Sequence, residues 1–212
     1  MAFDLWHTLD VLPGIVVGLT VHEAAHAWTA SMAGDKTAEA EGRISLDPLK
    51  HIDLLGFAMI LFAGFGWAKP VSFREDRMKN PRLGPMIVAV AGPLSNALLA
   101  LTLSFAYSVV APGLKAGGST SHSLEQMLIL AIYTNWGLFV FNMLPIPPLD
   151  GSHLLFGWLR GSNPDLYAEI YRNGTWLLTI LLVVTSRMEN GVPFLSEAVS
   201  FLSRSGLGLF SG

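Results

Sequence analysis

The sequence predicts an all-α polytopic membrane protein: a bundle of about four to six membrane segments with a small membrane-associated β element. Three observations carry that prediction. Of the 212 residues, 51% are hydrophobic and 14% are charged, against about 25% charged in an ordinary soluble domain. Mean hydropathy is positive, +0.48, and several apolar runs are long enough to enter a bilayer. Between them lies a polar stretch, residues 36 to 82, that holds eight of the 13 Lys and Arg residues. No stretch is long or polar enough to form a separate soluble domain. Residues 1–212 therefore read as one membrane-embedded domain, with a core over 14–161 and C-terminal membrane-associated segments over 174–212.

Composition also excludes function classes. With no cysteine there is no disulfide framework, cysteine-zinc site or cysteine nucleophile. A net charge of -3 and the lack of a basic stripe argue against a nucleic-acid partner. Met1 to Asp10 has acidic residues and no Lys or Arg. A cleaved signal peptide needs a basic start, so the first apolar segment is expected to stay as a span.

In chain order, Met1 to Pro13 reads as a lead-in, and a first helix is expected from Pro13 to Ala33, stopped by Gly34-Asp35. Lys36 to Leu46 reads as one or two short strands ended by Asp47-Pro48. Ile52 to Phe65 is apolar but short, as suits a segment that dips into the membrane and returns. Trp67 to Phe73 is expected to be extended because of Pro70, and to pair with Arg43 to Leu46 as a small sheet. A second helix, Leu83 to Val110, should bend at Pro93. Its Asn96 is the kind of polar residue that bonds a neighbouring helix. Pro112 to Ser123 reads as a loop and Leu124 to Leu144 as a third helix. The three prolines within Pro145 to Pro148 cannot stay helical. Such backbone at membrane depth is tolerated inside protein or against a water-filled cavity, so Asp150 is expected on an extended, cavity-lining segment. A further span starts at Trp176, and Val192 to Phe210 reads as an amphipathic segment at the membrane surface.

The chemistry concentrates in His22-Glu23-Ala24-Ala25-His26. Residues four apart share a helix face, so the two imidazoles can grip one metal ion from adjacent turns. Glu23 sits about a quarter-turn away, near enough to reach a water on that metal. In a soluble helix a solvated face would account for this pattern, but here the flanks Val16, Val17, Leu19, Val21 and Ala27 leave none, and ionisable groups in hydrocarbon are costly unless they act. Gly14 and Gly18 continue the same row, leaving free volume beside the ligands or a surface for close helix packing. The third ligand follows from topology. Excess Lys and Arg put residues 36–82 on the cytoplasmic side. That orientation brings His22, His26 and Asp150 to similar depth, and favours Asp150 over Glu39 or Glu41. Two His, one Asp and a water form an open tetrahedral zinc site of the catalytic type.

Taken together, these residues resemble the site-2 protease family of intramembrane zinc metalloproteases. The resemblance rests on His22-Glu23-x-x-His26, Gly34-Asp35, Gly42-Arg43, Trp67-Ala68-Lys69-Pro70-Val71, Gly92-Pro93-x-x-Asn96 and Asn142-x-x-Pro145-x-Pro147-x-x-Asp150-Gly151. It covers roughly residues 14–161 and corresponds to a short form without a PDZ or CBS domain. It implies one Zn2+ per chain on His22, His26 and Asp150, with Glu23 as catalytic acid/base and Asn142 close by for substrate or oxyanion. It also implies hydrolysis of membrane-spanning protein substrates within or at the edge of the bilayer. The expected location is the plasma membrane, as a multi-pass protein with its active site towards the cytoplasm. The competing readings are a zinc-binding transporter, which the lack of a repeated half argues against, and a silent membrane scaffold, which has no use for Glu23.

Overall fold

The computed structural model describes residues 5–63, 66–185 and 193–210. Nine helices are described: α1 (Leu5–Ala33), α2 (Thr37–Ala40), α3 (Leu54–Ala63), α4 (Gly84–Ala116), α5 (Ser119–Asn142), α6 (Gly151–Phe156), α7 (Leu159–Ser162), α8 (Pro164–Thr185) and α9 (Pro193–Phe210). Two single 3-10 turns, Pro48–Lys50 and Glu75–Arg77, sit in the connections. By length and composition, α4 and α5 are apolar enough to cross a membrane. The 29-residue α1 is long enough as well, but His22, Glu23 and His26 interrupt its apolar run.

The core is the trio α1, α4 and α5, each packed on the other two, with α9 laid across α4 and α5. Glycine makes the closest approach possible. A Cβ on Gly14 would come within 2.7 Å of the Ala131 Cα, and one on Gly18 within 2.7 Å of the Asn135 Oδ1. The Gly14–Gly18 row therefore serves close packing of α1 on α5 rather than open volume. Ala100, Ile132 and Trp136 bury the α4–α5 seam, and Val199, Leu202 and Leu207 of α9 cover it.

Several boundaries differ from the sequence reading. The first helix starts at Leu5, not Pro13, which now lies inside it; nothing in Leu5 to Leu12 breaks a helix. The second runs on through Pro112 to Ala116, leaving only Gly117 and Gly118 between α4 and α5. Pro164 opens α8, so the span expected from Trp176 is the second half of a longer helix.

The β element is not there: the described residues hold no strand, only an isolated antiparallel bridge between Ile52 and Ala68. The reason is local. Gly34, at φ +115°, ends α1 in the left-handed conformation that glycine accepts most readily. Asp35 then takes the backbone N–H and the hydroxyl of Thr37 on its Oδ1, at 3.0 and 2.5 Å. That side-chain capture starts the helical turn α2 where a strand is expected. Gly42, at φ +69°, turns the chain again, and Ser45 N–H bonds back to the Arg43 carbonyl, so Arg43 to Leu46 is a turn. Trp67 to Phe73 is extended as expected. We call it the strap. It is tied by Lys69 N–H to the His51 carbonyl at 2.7 Å.

Candidate metal centre

α1 presents His22 and His26 on adjacent turns, both buried. Their Nε2 atoms lie 2.9 Å apart. The other ring nitrogen of each is engaged from α4. His22 Nδ1 is 2.7 Å from Asn96 Oδ1, and His26 Nδ1 is 2.7 Å from the Val88 carbonyl. Asn96 is oriented in turn, since its amide nitrogen donates to the Gly18 carbonyl and to Asn135 Oδ1, both at 3.0 Å. Both partners of the histidines are acceptors, so each Nδ1 carries the proton and each Nε2 offers a lone pair.

Asp150 closes the group. Its Oδ2 is buried without a hydrogen-bond partner and lies 3.2 Å from His22 Nε2 and 3.4 Å from His26 Nε2. Asp150 directly precedes α6 with helical backbone (φ -58°, ψ -39°) rather than the extended backbone expected, and its carboxylate does not cap that helix, which leaves it free to face the histidines. The chain can turn here because Gly151 lies hard against the end of α5, where a Cβ would meet the Met143 carbonyl oxygen at 2.3 Å. Gly92 provides the cradle from α4, since a Cβ there would lie 2.4 Å from His26 Nε2 and 2.7 Å from His22 Cε1. Two nitrogen lone pairs and a carboxylate oxygen that converge this closely repel one another unless a cation sits among them. The donor set fits a divalent metal of borderline softness. His22, His26 and Asp150 are also the one group of three or more such side chains among the described residues with this convergence. Glu39 is turned away, bonded to Ser31 and Lys36 on the exposed side.

Glu23 lies beside the histidines. Its Oε2 accepts the Val71 N–H of the strap at 2.9 Å and lies 3.9 Å from Arg43 Nη2. The centre opens on a cavity of 720 Å3 walled by α1, the strap, the end of α5 with Asn142, the Pro148–Asp150 segment and Thr175 to Thr179 of α8. Asn142 is thus at the cavity, but its amide donates to the Leu138 carbonyl of its own helix. A second, more polar cavity of 1090 Å3 adjoins the first, and Phe73 and His153 line both. Across it Arg160 of α7 forms an ion pair with Glu75.

Three residues at the site had no role assigned from the sequence. Arg43 was seen as part of a strand. His153 was not singled out, although its three-residue spacing from Asp150 places it on the same side of α6. Asn96 was noted for its helix-bonding character, but not as the partner of His22.

Residues 107–185 match the model of peptidase family M50. A putative zinc metalloprotease of Bacillus subtilis, YwhC, is 41% identical over 156 residues, covering 71% of this chain and 71% of that protein. The putative zinc metalloprotease Rip2 of Mycolicibacterium smegmatis is 30% identical over 84% of this chain and 68% of its own length. Protease RseP of Photorhabdus luminescens is 24% identical over 84% of this chain and 82% of its own length. No solved structure matches the chain.

Proposed function

Since the chain belongs to peptidase family M50, the site-2 protease family, and is a zinc-dependent protease, we propose that it hydrolyses membrane-spanning protein substrates within or at the edge of the bilayer. In this reading residues 1–212 act as one membrane-embedded domain. The segments beyond α4 and α5 are embedded with them, and the site faces the cytoplasm in the plasma membrane. The observation that carries the reading is the convergence of His22, His26 and Asp150 beside Glu23, at a cavity in an apolar bundle.

His22, His26 and Asp150 would hold the zinc. When bound, zinc lowers the pKa of water towards about 7 and polarises the scissile carbonyl. Glu23 is the acid/base. Its Oε2 is already engaged, while Oε1 accepts no hydrogen bond from the described residues. Oε1 therefore takes the proton of the attacking water and returns it to the leaving amine. Asn96 and the Val88 carbonyl keep the imidazoles turned to the centre. Asn142 is near enough to the cavity to steady substrate or oxyanion after releasing the Leu138 carbonyl. Water reaches the site through the polar second cavity, past Phe73 and His153.

A helical substrate exposes no free backbone, so it must unwind before it is cut. The strap offers extended backbone beside Glu23, and pairing with it by strand addition is the natural mode of capture. Arg43 to Leu46, a turn, does not offer that. The deciding experiment is Glu23→Gln in the purified protein with apolar single-span peptides in detergent micelles. Cleavage should fall about 10²- to 10⁴-fold with about one zinc per chain retained. Undiminished cleavage would remove the proposed acid/base.

A further inference from the structure

We propose that Arg43 is a positioning residue for the hydrolysis, one that locks Glu23 and the strap into a single rigid unit without touching substrate or metal. The proposal rests on the reading of Glu23 as the acid/base.

Arg43 is 4% exposed, and a cation this buried needs partners. It has two. Its Nη2 donates to the Lys69 carbonyl at 2.5 Å and lies 3.9 Å from Glu23 Oε2. The same Oε2 accepts Val71 N–H at 2.9 Å. Lys69 and Val71 flank Pro70, whose ring fixes the backbone between them. The contacts form a closed circuit: Glu23 to Val71, through Pro70 to Lys69, then to Arg43 and back to Glu23.

The base of Arg43 is fixed as well. Its N–H bonds the Ala38 carbonyl at 2.9 Å and its carbonyl accepts Ser45 N–H at 3.0 Å. Gly42 supplies the left-handed turn that aims the side chain inward. Everything in the circuit grips Oε2, which leaves the carboxylate one free oxygen in one orientation. Both contacts are made by Nη2, whose two N–H bonds are held in the guanidinium plane and so keep fixed directions, whereas a lysine ammonium is a freely rotating point charge. The Arg43 Nε is buried without a partner, so the two outward contacts are what justify burying the group.

The test uses the full chain in detergent with five forms: wild type, Arg43→Ala, Arg43→Lys, Glu23→Gln, and Arg43→Ala combined with Glu23→Gln. Arg43→Ala should keep about one zinc per chain and lose about 10²-fold in kcat on the single-span peptides, with KM changed little. Arg43→Lys should recover part of that loss. In thermal unfolding the Arg43→Ala shift should be smaller in the Glu23→Gln background, because the partner charge is already gone. Zinc loss in Arg43→Ala, a rise in KM at unchanged kcat, or additive unfolding shifts would each overturn the proposal. If wild type cuts no peptide, the substrate reading fails and the unfolding cycle alone decides the role of Arg43.

Discussion

His22 and Asn96 meet across the α1–α4 seam at 2.7 Å, ring Nδ1 to amide Oδ1. The contact fixes which nitrogen of His22 faces the centre. Removing it should cost metal affinity before it costs fold. Asn96→Ala is expected to weaken zinc binding about 10- to 100-fold, measured by competition with a chromophoric chelator. Affinity equal to wild type would mean that the ring needs no such orientation.

Gly92 should be still less replaceable. The Cβ of Gly92→Ala would fall 2.4 Å from His26 Nε2, inside the space the ligand atoms share. The variant is expected to purify with little zinc. Gly137→Ala on α5, where a Cβ meets nothing within 4 Å, is the matched control and should keep full metal content. Equal zinc in the two would argue against a centre beside Gly92.

Asp150 and Glu23 should separate metal from chemistry. Asp150→Ala is expected to lose most of the roughly one zinc per chain, because an open tetrahedral site keeps three protein ligands. Glu39→Ala should change nothing. Glu23→Gln should keep the metal and lose about 10²- to 10⁴-fold in turnover, the usual worth of a positioned proton carrier. Elemental analysis of the three variants decides the assignment. Zinc retained in Asp150→Ala would move the third ligand elsewhere.

Asp35 should show itself in acid. Burial pushes its carboxyl up, but the Thr37 hydroxyl, the Arg74 N–H and the Thr37 N–H together hold it below its ordinary 3.8. A carboxylate depressed in the folded state contributes stability above its unfolded pKa, and that contribution is lost as pH falls through the folded value. Asp35→Asn should therefore be less stable than wild type by a constant amount at neutral pH, with the gap closing below about pH 4. Thermal unfolding from pH 7 down to 3 checks it; a gap independent of pH would assign the loss to shape rather than charge.

What was legible in the sequence was what local geometry fixes. His22 and His26 had to share a face because helical spacing leaves them no alternative, and the prolines before Asp150 had to break the helix. Charge asymmetry favoured Asp150, the carboxylate that converges on His22 and His26. The strap and Arg43 were harder, because their partners are distant in the chain. Val71 N–H finds Glu23, and the Arg43 guanidinium finds the Lys69 carbonyl, through contacts that leave no periodic trace. The strands expected in Lys36 to Leu46 failed because one side chain, Asp35, outbids a ladder for the Thr37 amide. Helix ends drifted for a related reason: Pro13 and Pro112 sit inside helices whose packing outweighs the propensity cost.

The chain order of the centre has a consequence for biogenesis. His22, Glu23 and His26 leave the ribosome early, but Asp150 follows only after α2, α3, α4 and α5. A half-made chain thus carries the two imidazoles before the carboxylate that converges on them has been made. The donor set can therefore close only after α1, α4 and α5 have all been made, while α8, which walls the cavity, and α9, which lies across α4 and α5, are made later still.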